Sequence, residues 1–154
     1  MKTEHIEPFI ESACSVLAGL SDTPVTQQSL SLLGTPFSTA SINIAARING
    51  PLSGEVVYSM SGQTARSLAS RVTGRECRDF GKTTGSGLAQ LGAMLAEDVC
   101  RLLEARGYPC SVSSPMVLQG LNIEFSTAVP ALSVPLDTDA GEVSVNVAVR
   151  DAQD

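Results

Sequence analysis

The stretch that decides the fold is Thr84-Gly-Ser-Gly-Leu-Ala-Gln-Leu-Gly-Ala-Met-Leu-Ala-Glu-Asp-Val99. Its large apolar residues recur at helical spacing and form one stripe: Leu88, Leu91, Leu95 and Val99. A second strip carries only small residues: Gly85, Ala89, Gly92 and Ala96. A third face follows from steps of four, three and four positions: Ser86, Gln90, Ala93 and Glu97. The stretch therefore predicts the front half of a long helix with one buried face and one exposed face.

Composition limits the class of protein. The chain has 154 residues, which predicts a single domain over residues 1–154. Hydrophobic residues make up 43% and aromatic residues 4%, so we expect a sizeable aliphatic core. The net charge of −6 argues against a nucleic-acid-binding surface. No apolar run is long enough for a membrane span or a signal peptide, so we expect a cytoplasmic protein with four reduced cysteines.

The rest of the chain divides into helices and strands. Helices are predicted at residues 5–20, 61–72, where Ser61 is the N-cap, and 83–106, which begins with a threonine cap. Strands are predicted at residues 28–33, 40–48, 52–60, 110–117, 120–127 and 141–150, with a short edge piece at 132–136. The second and third strands flank Asn49-Gly50-Pro51 and form an antiparallel hairpin. This order predicts an α+β fold, with a largely antiparallel sheet flanked by helices.

Several kinds of catalytic site are excluded by the residues present. His5 is the single histidine, and we expect it to be solvated in the first turn of a helix, so nucleophilic triads and zinc sites are not expected. Gly81-Lys82-Thr83 imitates the end of a phosphate-binding loop, but Glu76 stands where that motif needs glycine. Gly85 and Gly87 are expected to allow close approach of another backbone. No cofactor or metal is therefore expected.

Three separated pieces resemble one family. The first is Leu52-Ser-Gly-Glu-Val-Val-Tyr-Ser-Met-Ser61, with the helix that follows it to Gly74, and the second is the face from Ser86 to Glu97. The third is Gly107-Tyr108 leading to Ser114-Pro-Met-Val-Leu-Gln-Gly120. In their order and spacing, these pieces resemble the CheC/CheX (CheC/CheX/FliY) chemotaxis phosphatases. The resemblance implies a CheX-like fold and a role on the aspartyl phosphate of CheY-like response regulators.

The resemblance also assigns functional roles to positions on the exposed helix face. In the family this face carries Asp or Ser, then a Glu that engages a regulator lysine, then an Asn that orients the attacking water; Mg²⁺ belongs to the regulator. Here the same places hold Ser86, Gln90 and Ala93, which are the predicted catalytic positions. Pro115 lies within one residue of the family proline. Partner binding is therefore assigned to these residues: Ser86, Gln90, Glu97 and Pro115.

These replacements leave two functions open. The chain is expected to bind a phosphorylated CheY-like receiver with weak or lost phosphatase activity; alternatively, it is a catalytically silent dimerisation or adaptor module of the same fold. Gln90 is itself a carboxamide that could orient water, and Glu97 could supply an acid, but each also fits a solvated helix face. CheX-like proteins pair through their sheets, and the valine-rich strand at 143–149 is expected to leave an open edge, so a homodimer is expected. A third reading keeps only an α+β domain of unknown role.

Overall fold

The computed structural model describes residues 3–153, and in that part of the chain it has three helices and ten strands. The helices are α1 (Thr3–Ala18), α2 (Gly62–Thr73) and α3 (Lys82–Ala105). The first strands are β1 (Thr26–Gln27), β2 (Ser31–Leu33), β3 (Phe37–Ser38), β4 (Ile42–Asn49) and β5 (Leu52–Met60). The later strands are β6 (Ser111–Val112), β7 (Met116–Gln119), β8 (Glu124–Phe125), β9 (Ala131–Thr138) and β10 (Gly141–Asp151). The predicted order of helix, strands, two helices and strands is confirmed.

One large antiparallel sheet forms the centre of the fold. Its strands run in the order β1-β9-β10-β5-β4-β6, with β2 also pairing with β9 and β7 with β4. The β4–β5 hairpin forms as predicted, from Ile42 opposite Met60 to Ile48 opposite Gly54. Strand β10 pairs with β5 on one side and β9 on the other, so the open edge expected at residues 143–149 is wrong. The valine strand is interior because β9 covers it.

Strand β9 itself was predicted as a short edge piece, and it is instead an eight-residue inner strand. It pairs with β10 along one side and with β1 and β2 along the other. Pro135 fits because its carbonyl, which accepts from the Gln28 N–H at 2.9 Å, points toward the β1 and β2 side. The missing N–H of the proline faces that same side, so pairing with β10 loses no donor.

Three other strand predictions were wrong in extent, whereas those at 40–48, 52–60 and 141–150 match β4, β5 and β10 to within two residues. Of the strand predicted at 28–33, only Ser31–Leu33 forms, as β2, and β1 lies before that range. The strand predicted at 120–127 reduces to β8, which pairs with β3 in a small separate sheet. The strand predicted at 110–117 is split into β6 and β7, both of which pair with β4. Between them, the Ser113 N–H donates to the Arg47 carbonyl and its hydroxyl accepts from the Arg47 N–H, both at 2.9 Å. Because Ser113 makes these bonds, Pro115, which has no N–H donor, can lie outside the strand pairing and the Arg47 backbone groups still have hydrogen-bond partners.

The helices cover one face of the sheet and enclose the main core. The predicted stripe of α3 is buried: Leu88, Leu91, Leu95 and Val99. The predicted valine row of β10 is buried in the same core, where β10 contacts α1 and α2: Val143, Val145, Val147 and Val149. His5 was expected to be solvated, but it is 2% exposed and its ring meets the Tyr108 ring edge-on, with centroids 5.1 Å apart. The segment after α3 folds across the first turn of α1 and covers the imidazole.

Asp139, in the turn between β9 and β10, makes the acid-sensitive contact of the fold. The Arg71 guanidinium, and then the Asp22 N–H at 2.9 Å, lower the pKa of its carboxyl from 3.8 to about 2. The carboxylate therefore stabilises the fold above pH 3.8, and this contribution is lost as the pH falls through about 2. We expect Asp139→Asn to flatten the decline in unfolding free energy between these values, measured by urea unfolding at a series of pH values. Glu104→Gln, at an exposed carboxylate on α3, is the control and should keep the wild-type slope.

Among residues 3–153, no helix combines the length and the apolar character that a membrane crossing requires.

Candidate functional site

The start of α3 is fixed by the loop that precedes it. The N-cap residue is Gly81, which has no side chain to cap the helix, so the predicted threonine cap is wrong. The Asp79 carboxylate accepts from the Gly81 N–H at 3.0 Å, and the Thr84 hydroxyl donates to the Asp79 carbonyl. The loop is thereby held against the first turn of the helix.

Of the two glycines expected to allow close backbone approach, one does so. A Cβ placed on Gly87 would lie 3.0 Å from the Cα of Ala69 on α2, so the missing side chain lets the two helices touch. A Cβ placed on Gly85 would have no other atom within 4 Å, so the expectation of close backbone approach is wrong for Gly85. Close contact at Gly87 sets where the exposed face of α3 stands relative to α2.

That exposed face is continuous, and we call it the α3 ridge: Ser86, Gln90, Ala93 and Glu97. All four residues are exposed, as the sequence predicted for a functional face. The Gln90 amide nitrogen lies 3.5 Å from the Ser86 hydroxyl oxygen, one helical turn away. Met94, beside the ridge, is 40% exposed and adds apolar surface. The ridge thus offers a hydroxyl, a carboxamide, a methyl group and a carboxylate in sequence.

Pro115 flanks the ridge, because it packs directly on α3. A Cβ placed on Gly92 would lie 2.7 Å from the Pro115 Cβ and 3.0 Å from the Ile44 Cγ2. Glycine at this position therefore lets the segment before β7 rest on the helix, one residue from Ala93. The structure brings Pro115 together with the α3 ridge, as the predicted set of site residues requires.

A cavity of about 540 Å³ opens beside the N-terminal half of the ridge, and we call it the α2–α3 pocket. It lies between the end of α2, the following loop and the first turns of α3. Its lining residues are Val72, Thr73, Arg75, Lys82, Thr83, Ser86 and Gln90. No role was predicted for Arg75, and Lys82 was considered only as part of the rejected phosphate-loop motif. Lys82 lies four residues before Ser86 and eight before Gln90, and this helical spacing could have placed it on the same side.

The charge along the site is uneven. Arg75 and Lys82 are exposed at one end, Glu97 is exposed at the other, and the centre of the ridge is neutral. Beneath the helix, burial and then the nearby Asp98 carboxylate raise the pKa of the Tyr58 hydroxyl, which stays protonated. Asp98 is itself paired with Arg101 at 2.9 Å. The site can therefore offer hydrogen bonds at its centre and opposite charges at its two ends.

This arrangement is suited to docking more than to independent chemistry. Within residues 3–153, no group of three or more His, Cys, Asp or Glu side chains is placed to hold a metal ion. The polar groups near the centre of the ridge are one hydroxyl and one carboxamide, and Ala93 contributes only a methyl group. Such a face can bind a partner and orient a water through one amide.

No family model matches the sequence, and no curated protein matches it either. Solved structures do match. CheX from Desulfovibrio desulfuricans is 17% identical, with 96% of this chain and 99% of that chain covered and a TM-score of 0.83. A CheC-like protein from Shewanella oneidensis MR-1 is 16% identical, with 97% and 100% covered and a TM-score of 0.84.

A third solved structure contains a partner. It is the complex of CheX with CheY, BeF3 and Mg²⁺ from Borrelia burgdorferi, 24% identical to this chain, with 94% and 97% covered and a TM-score of 0.75. All three matches span nearly the whole of both chains, and they agree with the helix order and antiparallel sheet described above. The protein therefore has the fold of the CheX and CheC-like chemotaxis proteins.

Proposed function

We propose that this chain is a CheX-like signalling protein that binds the phosphorylated receiver domain of a CheY-type response regulator through the α3 ridge. The observation that carries the proposal is the exposed ridge, flanked by Pro115, on a fold whose Borrelia burgdorferi neighbour was solved with CheY. The proposal includes a cytoplasmic location, which such a partner would require. Any Mg²⁺ belongs to the receiver.

The ridge supports binding with weak or lost phosphatase activity. An aspartyl phosphate is an activated acyl phosphate, so its hydrolysis depends chiefly on placing a water in line with phosphorus. Ala93 stands where the family has the asparagine that places this water, and Gln90 stands where the family has the glutamate. Gln90 stands about 4.5 Å along the helix axis from position 93, too far for its amide to serve the same point. We expect the rate to be lower than that of a complete site by about 10²-fold or more.

A catalytically silent adaptor is the second candidate, and Ala93 is the residue that favours it. In that case the ridge binds the receiver and does not change the lifetime of its phosphate.

Homodimerisation remains a proposal for either candidate. It would use an outer strand such as β2, where Leu32 is 67% exposed, because β10 is interior. Sedimentation equilibrium of the wild type and Leu32→Lys tests this assembly.

The proposed function is tested with CheY-type receiver domains of the source organism, phosphorylated by acetyl phosphate. We expect the protein to bind the phosphorylated receiver in titration calorimetry. Gln90→Ala should weaken that binding by about fivefold, as expected for one lost hydrogen bond. Phosphate release should be accelerated by less than about tenfold, because Ala93 cannot orient water.

Gln27→Ala, an exposed glutamine on β1 at the outer edge of the sheet, is the matched control and should leave binding unchanged. Absence of binding to every receiver tested would overturn the proposed function. Binding without any acceleration of phosphate release would select the silent adaptor. Any acceleration of phosphate release by the wild type would select the weak phosphatase, and its loss in Gln90→Ala would show that Gln90 contributes to it.

A further inference from the structure

We propose that the α2–α3 pocket receives an acidic side chain on the surface of the receiver partner, and that Arg75 and Lys82 bind it. This inference rests on the proposed function, since the partner is the one that the α3 ridge docks. It adds an electrostatic contact that the helix face alone does not contain.

The charge of the pocket is the first argument. Its lining carries two cations, and the other five lining side chains are neutral. The nearby acids are already engaged: Glu76 pairs with the Arg78 Nε at 2.7 Å, and Asp79 accepts from the Gly81 N–H at 3.0 Å. The chain as a whole carries a net charge of −6, so the charge of this pocket is opposite in sign to that of the whole chain. A negative group is the complementary occupant.

Three arginines outside the pocket, each paired with a carboxylate, show the contrast. Arg71 pairs with Asp139, and Arg101 pairs with Asp98 at 2.9 Å. Arg106 lies between Glu7 and Glu11 of α1. The charges of these side chains are matched within the protein, whereas Arg75 and Lys82 line a cavity that has no carboxylate in its lining. Their charges are therefore available to a partner.

Continuity with the α3 ridge is the second argument. Ser86 and Gln90 belong to both, so a partner seated on the ridge covers the mouth of the pocket. The cavity of about 540 Å³ is much larger than a phosphoryl group, which favours a protruding side chain and its neighbours. Gln90 matters here as well. A glutamate at this position would stand at the pocket wall and offset the two cations, whereas glutamine leaves their field to the partner.

The test is the double variant Arg75→Glu, Lys82→Glu, with binding of phosphorylated and unphosphorylated CheY-type receiver measured by calorimetry. We expect affinity for both forms to fall by about tenfold or more, because an acidic side chain is present whether or not the aspartate is phosphorylated. The wild type should bind more weakly as salt is added, and the variant should lose much of that dependence.

Two controls accompany this test. Arg75→Lys, Lys82→Arg keeps both charges, so it should lose much less affinity than the reversed variant. Arg150→Glu makes a comparable reversal at an exposed arginine on β10, which pairs with Ser53 beside the β4–β5 turn, and it should bind as the wild type does.

Unchanged affinity in the reversed variant would overturn the pocket assignment and leave the proposed function standing. A loss confined to the phosphorylated receiver would also overturn it, since the cations would then contact the phosphoryl group. If the wild type binds no receiver in either form, the proposed function fails, and the role of the pocket fails with it.

Discussion

The double variant Gln90→Glu, Ala93→Asn is expected to hydrolyse the phosphate of a CheY-type receiver about 10²-fold faster than the wild type. Both positions are exposed on the α3 ridge, so the new side chains enter solvent and the fold does not have to adjust. Glutamate and asparagine three residues apart on one helix face point the same way. The glutamate could then hold a receiver lysine while the asparagine orients the water. Single-turnover phosphate release at saturating protein measures the gain.

Comparison with other variants separates this gain from a general effect of added polar groups. Ala93→Asn alone should recover part of the rate, because it restores the water-orienting amide. Ala89→Asn places the same amide at an exposed position outside the ridge and should recover nothing. If the double variant binds the receiver as before and its rate is unchanged, the receiver does not dock with its aspartate at position 93, and the assignment of the ridge is wrong.

The helices and the hairpin could be predicted because their signals are local. The stripe from Leu88 to Val99 and the alternation of β4 require only the spacing of neighbours in the chain. Strand order does not have a local signal. The valine pattern of β10 does not indicate that β9 will pair with its second edge. Pro135 suggested that β9 is an edge strand, because the sequence does not show toward which neighbouring strand the missing N–H of the proline faces.

The candidate site shows the same division. The ridge was predicted because its four members lie on one helix. The α2–α3 pocket was missed because Arg75 follows α2 while Lys82 begins α3, and the two meet only through the packing of the helices, which includes the close contact of Gly87 with Ala69. His5 was misjudged for the same reason. The residue that buries it is Tyr108, which arrives from the end of α3.

Gly54→Ala should cause the largest loss of stability in this fold, about 3–5 kcal/mol in the free energy of unfolding. Gly54 lies in β5 with φ +154°, and a Cβ there would fall 1.9 Å from the Ala148 carbonyl oxygen and 2.7 Å from the Val149 Cα. These are backbone atoms of β10, so relief requires the two central strands to separate. Thermal unfolding followed by circular dichroism should show the midpoint lowered by about 10 °C or more.

The same substitution at Gly85 should have the opposite sign, which separates backbone collision from the mere addition of a methyl group. Gly85 lies in α3 with nothing within 4 Å of its added Cβ, so alanine there should stabilise by about 0.5–1 kcal/mol through helix propensity. A small effect at both positions would mean that β5 and β10 are not packed as described. Because those strands carry the sheet on which α3 rests, Gly54→Ala should also weaken receiver binding at temperatures well below its unfolding midpoint, whereas Gly85→Ala should not.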